Sequence, residues 1–242
     1  LSGSTVARAP FGDRRAVIAA LASVPTVLMV SASETADRVA QHTKFIDAAT
    51  EAGVEHLVYI SFYGASPDAT FTLARDHYAT EEHIRASGMA FTFLRDNFYA
   101  DFMPALVRED GVIRGPAGQG RVAAVAQDDI ADAATAVLLD PASHAGSTYS
   151  LTGPESLTLD EVATTVTAEL GRPTRYDAET LEEAYASRAS YGAPSWLVDA
   201  WVSTYTSIAT GEVAGVTDDV ERLTGQRATS LAELLRSGSN AY

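Results

Sequence analysis

The chain has 242 residues, 46% of them apolar and 20% charged, so it can bury a sizeable core without disulfide or metal staples. It has no cysteine, which excludes a disulfide framework, a thiolate metal site and a cysteine nucleophile, and suits a reducing, cytoplasmic setting. A net charge of −15 repels phosphate backbones and anionic lipid, and no apolar run approaches the roughly 20 residues that span a bilayer, so neither nucleic acid nor membrane is an expected partner.

The first half alternates between two periods. Thr26-Val27-Leu28-Met29-Val30 is a short apolar run, and from about Thr35 to Ala52 a helical stripe through Val39, Ile46 and Ala49 follows, with Gly53 where a C-cap glycine belongs. Leu57-Val58-Tyr59-Ile60 is a second run, Phe71 to Ala86 a second helix, Phe91-Thr92-Phe93-Leu94 a third run, and Ile130 to Leu139 a further helix. Apolar strands separated by helices predict an α/β fold with a doubly wound parallel sheet. Ligands in such sheets sit beyond the strands' C-terminal ends, so the informative positions are Ser31 to Ser33, Ser61 to Gly64 and Arg95 to Tyr99.

The second half is mostly helical. A capping box at Thr158 to Glu161 opens a helix that stops at Gly171, and Arg172 to Tyr176 reads as extended. Short helices are expected over Leu181 to Ala186, Thr217 to Leu223 and Ser230 to Leu235. Pro194 to Ala209 is a longer one, with an aromatic stripe (Trp196, Trp201, Tyr205) that either packs in the core or walls a substrate. We divide the chain into a Rossmann-like domain, 1–150, and a smaller helical lobe, 151–242.

Several segments in order carry a resemblance. They are His42 to Ala49 with Ala52 to Ser61, Asp76 to Glu81 with Ser87-Gly88 and Thr92 to Arg95, Gly111 to Ile113, Gly118 to Gly120, Asp128 to Ala131, Tyr149 to Pro154, and Asp218 to Gly225. Together they make the chain resemble the NmrA-like atypical short-chain dehydrogenases, closest to the quinone reductase and triphenylmethane reductase branch. The resemblance implies a cofactor, NADP or NAD with NADPH favoured, and a small conjugated organic substrate; it leaves a homodimer open. It also implies hydride transfer to an acceptor such as a quinone. Two other readings are a non-catalytic NAD(P) sensor and a cofactor-free module that reuses the cleft.

Two departures stand out. No Gly-x-x-Gly-x-x-Gly occurs in the chain, and residues 1–12 look like the end of the family's third strand, with Asp13 opening the next helix. The first βαβ unit is therefore expected to be absent from the chain, leaving an exposed sheet edge. The Tyr-x-x-x-Lys pair of the related enzymes is also replaced, by Leu73 and His77. Leu73 cannot donate a proton, which leaves His77 as the catalytic candidate at near-neutral pKa, or as a helix residue paired with Glu81. The cofactor-binding candidates are Ser31, Ala32, Ser61, Phe62, His77, Asn97, Phe98, Tyr99 and Gln127. His42, His56, His83 and His144 lack the carboxylate spacing of a metal site, and Ser61 lacks a nucleophile elbow.

Overall fold

The computed structural model describes residues 4–238. A four-stranded parallel sheet, in the order β1-β2-β3-β6, is formed by Thr26–Met29, His56–Phe62, Ala90–Asp96 and Ser147–Leu151. Every residue of β2 is buried, as expected of a strand covered on both faces. Its pleat divides the work. Leu57 and Tyr59 point into one core with Val17 of α1 (Arg14–Ala20), Ile46 of α2 (Arg38–Glu51) and Ile84 of α3 (Thr72–Ser87). Val58 and Ile60 point the other way, onto Ala133 and Val137 of α4 (Gln127–Leu139). Helix α3 stops at Gly88, whose φ of +81° is a left-handed C-cap that a Cβ would strain.

The order of strands and helices follows the sequence expectation. Asp13 caps α1 through Ala16 N–H. Residues 4–12 carry no strand, and residues 1–3 lie outside the described part. Strand β1 forms the sheet's edge: none of the described strands pairs with its outer side, and Leu28 and Val30 are exposed there.

The second half is helical, with two small strand pairs inserted. β4 (Val112–Gly115) pairs in parallel with β8 (Arg175–Ala178), and β5 (Arg121–Val122) pairs antiparallel with β7 (Leu157–Thr158). Capping boxes at Thr158 and Ser230 start α5 (Leu159–Leu170) and, after α8 (Asp219–Thr224), α9 (Leu231–Ser237) as expected, and a third at Thr180 starts α6 (Leu181–Arg188). One apolar cluster runs from Phe62 and Phe71 to Leu159, Val166, Ile208 and Leu235.

Helix α7 (Ser195–Ala209) is seated by glycine. A Cβ on Gly120 would overlap the Ile208 carbonyl, and one on Gly115 would overlap the Tyr205 ring. Backbone cannot yield as a flexible side chain does, so Gly120→Ala should cost about 2 kcal/mol or more in denaturant unfolding. A loss under about 0.5 kcal/mol would show that α7 is not held through this contact.

Candidate functional site

The C-terminal ends of β1, β2 and β3 open into a cleft of about 740 Å³, closed on the far side by Thr204, Tyr205 and Ile208 of α7. That volume suits a drug-sized or cofactor-sized ligand. Three rings form one wall. Phe62, Phe71 and Phe98 lie with centroids 4.9, 5.0 and 5.1 Å apart, in the tilted geometries that aromatic pairs favour.

Seven of the expected residues line this cleft: Ser31, Ala32, Phe62, His77, Asn97, Phe98 and Tyr99. Ser61 and Gln127 do not. Ser61 lies on the same side of the pleat as Tyr59, so it faces α3, where its fully buried hydroxyl donates to Glu81 Oε1 at 2.6 Å. Gln127 lies at the N-terminus of α4, where its backbone N–H donates to Asp101 Oδ2 at 2.8 Å. Asn97 sits in the cleft wall fully buried, but its amide is already engaged: it donates to the Val213 carbonyl at 2.9 Å and accepts from Phe98 N–H at 2.8 Å.

His77 is not paired with Glu81. It belongs to a buried hydrogen-bond chain whose proton positions follow from its ends. Arg38 Nη2 can only donate, and it lies 3.2 Å from His77 Nε2, so Nε2 carries the lone pair. His77 Nδ1–H then donates to the Tyr59 hydroxyl at 2.9 Å. On the neighbouring branch, Ala32 N–H donates to His42 Nε2 at 2.9 Å, so His42 Nδ1–H donates to Thr80 Oγ1 at 2.8 Å, and Thr80 donates to the Asp76 carbonyl at 2.7 Å. Tyr59 and Thr80 also interact, joining the branches. Burial, then the nearby Arg38 charge, pushes both histidines down, His42 to about 4 and His77 well below the ordinary value. Neither His77 nitrogen is free toward the cleft.

Arg38 and Asp96 are the residues that the sequence reading missed. Arg38 is 5% exposed and spans the rim: Nε donates to the Ala32 carbonyl at 2.9 Å and Nη2 to His77, while Nη1 has no hydrogen-bond partner and reaches Asp76 only at 3.8 Å. With His42, it holds both backbone polar groups of Ala32, the N–H and the C=O, from α2. Asp96 ends β3 at 3% exposure, with Tyr99 and Arg38 nearby, and its Oδ2 also has no partner. Burial pushes its pKa well above the usual carboxylate range. A buried orphan donor and a buried orphan acceptor therefore line one cleft, where an unmet polar group costs about 1–3 kcal/mol. Both have a sequence signal in retrospect. Arg38 and His42 are four apart, on one helix face, and Asp96 is a carboxylate directly after an apolar strand.

No group of three potential metal-ligating side chains occurs among the described residues, and none of their helices is long and apolar enough to cross a membrane.

A parallel sheet with helices on both faces and a ligand-sized cleft at its strand ends defines a Rossmann-like α/β protein. The NmrA-like family model matches residues 1–231, and the chain belongs to that family. An NAD(P)H azoreductase of Xenophilus azovorans is 33% identical over 243 residues, covering 99% of this chain and 84% of that protein. The structure of an NADPH-dependent quinone oxidoreductase of Escherichia coli, complexed with NADPH, superposes with a TM-score of 0.87 at 32% identity, over 98% of this chain and 84% of that one. A Citrobacter triphenylmethane reductase complexed with NADP(H) superposes at 0.86 and 29% identity, over 97% and 84%.

Proposed function

We propose that this protein is an NAD(P)H-dependent oxidoreductase, with NADPH the favoured donor, acting on a planar conjugated acceptor such as a quinone or an azo or triphenylmethane dye. The observation that carries the reading is the cleft: flat aromatic walls, a rim at the strand ends, and the unpartnered Arg38 Nη1. The orphan donor and ring-lined wall fit the nicotinamide end of a dinucleotide. For the pyrophosphate, residues 1–242 contain no glycine-rich turn of the usual spacing, so the fit concerns the ring end alone. When bound, the nicotinamide supplies hydride.

The protein's own groups orient and enclose. The Phe62, Phe71 and Phe98 rings and Tyr205 exclude water and hold a flat acceptor, and the polar chain behind His77 fixes Arg38. His77, expected as a proton donor, is in this proposal a positioning residue, because its Nδ1–H serves Tyr59 and its Nε2 serves Arg38. We take 1–150 to seat the cofactor and 151–242 to close over the acceptor. Titration with NADPH and NADH, then oxidation of each with quinone, azo-dye and triphenylmethane-dye panels, tests the reading. Saturable turnover is expected; binding without turnover on any acceptor overturns it in favour of a sensor. Arg38→Met should weaken NADPH binding at least tenfold by fluorescence titration while circular dichroism stays unchanged. Unchanged affinity would remove Arg38 from the binding site.

A further inference from the structure

We propose that Asp96, through Oδ2, is the proton donor to the acceptor as it is reduced. The proposal rests on the oxidoreductase reading and adds the group that completes it.

Reducing a quinone or an azo bond needs a hydride and a proton. The family's Tyr and Lys positions hold Leu73 and His77, and His77 presents no N–H to the cleft. Asp96 is differently placed. It ends the strand at the rim and lines the same cleft as the aromatic wall, and its buried Oδ2 has no hydrogen-bond partner. Structural carboxylates that are buried this deeply are matched by cations, as Glu81 is by Arg95 and Arg85. No ion pair forms at Asp96 within 4 Å among the described residues. The groups that face it are the Tyr99 hydroxyl from the segment after β3, the Arg38 guanidinium from α2 and, farther off, Tyr59 of β2. Burial outweighs the Tyr99 hydrogen bond and the more distant Arg38 charge, both of which favour the carboxylate, so the carboxyl keeps its proton above the usual range, in the direction a general acid requires.

The step balances. With the dinucleotide bound, the acceptor would gain one new bond to hydride as a dihydronicotinamide C–H bond breaks and a double bond of the acceptor opens. The Asp96 O–H bond breaks, and its proton forms an O–H or N–H bond at the acceptor atom that takes up the electron pair. The carboxylate left behind is reprotonated by water from the open mouth of the cleft. Oxidised dinucleotide and hydroquinone, or hydrazo product, leave.

Asp96→Asn keeps the shape and removes the acid. In the protein without dinucleotide, the infrared difference between wild type and variant should show a protonated-carboxyl stretch still present at pH 7. In turnover with NADPH and a quinone, the variant should lose about 100-fold in rate, with NADPH affinity within twofold and the fall in rate at high pH abolished. Should Asp96→Asn not fold, Asp96→Ala should be slow and be restored by added formate. An ionised Asp96 carboxyl at pH 7, or a variant within threefold of wild-type rate with the same pH profile, overturns the proposal alone. NADPH binding with no turnover by wild type overturns the oxidoreductase reading and this proposal with it.

Discussion

Glu81→Ala should cost the folded protein about 3 kcal/mol, and Glu81→Gln distinctly less. The Glu81 side chain is fully buried, and both of its oxygens are saturated. Oε1 accepts from Ser61 Oγ at 2.6 Å and from Arg95 Nε at 2.8 Å; Oε2 accepts from Arg95 Nη2 at 2.6 Å and from Arg85 Nη2 at 3.1 Å. Ser61 and Arg95 are register partners on β2 and β3, so one carboxylate ties α3 to two strands at once. Removing it leaves Arg95, three-quarters buried, and Ser61, fully buried, without their acceptor. Truncating one side of a buried pair costs about 3–5 kcal/mol, and the low end applies because Arg95 retains some water. Glutamine keeps an acceptor for one partner. Urea unfolding at constant m-value reads the difference, and a loss below about 1 kcal/mol would show that Arg95 resolvates freely. The functional consequence follows from spacing: Glu81 stands one turn beyond His77 on α3, so loosening the helix moves the residue that fixes Arg38.

The same carboxylate shows where sequence reading stops. The His77-x-x-x-Glu81 spacing suggested an i,i+4 pair on one helix face, and the spacing is real. Both side chains do face the sheet, but each meets a different strand residue first, Tyr59 and Ser61 respectively. Strand and helix order was legible because β2 and β3 are largely apolar runs and helices such as α3 and α5 end at glycines. The rim was legible because parallel strands share a polarity. The pleat decides against Ser61 at the rim: it shares its side of β2 with Tyr59, the side that faces α3. Arg38 and Asp96 went unseen for another reason. Their significance lies in what they lack, a partner for Nη1 and Oδ2, and that appears only once segments about 40 and 60 residues apart have packed. The strand pairs β4–β8 and β5–β7 are too short to show a period of their own.

Acidification should weaken the fold through His42 before most carboxylates titrate. In the native protein His42 is fully buried and its pKa falls to about 4, against 6.5 for a free side chain. Between those values the unfolded chain binds the proton and the native one does not, so stability rises with pH. The contribution is complete above about pH 6.5 and is lost as pH falls toward 4; its size, from the shift, is about 3 kcal/mol. His77, also pushed down, acts in the same direction. Asp76, Asp96 and Asp129 are pushed up by burial and act oppositely, since protonation favours their native forms. The net slope is therefore a balance, and His42 is isolated by comparing wild type with His42→Gln in urea at intervals from pH 4 to 7.5. The gap between the two should narrow steadily below pH 6.5; a gap independent of pH would mean that native His42 takes up its proton as readily as the unfolded chain does. Such a protonation could not be local. His42 Nε2 holds the Ala32 N–H, while Arg38 holds the same residue's carbonyl, so an imidazolium would meet an amide hydrogen with its own and release the rim of the cleft from α2. Loss of NADPH affinity should accordingly track the histidine transition in wild type and be present at every pH in His42→Gln if its amide fails to accept from Ala32.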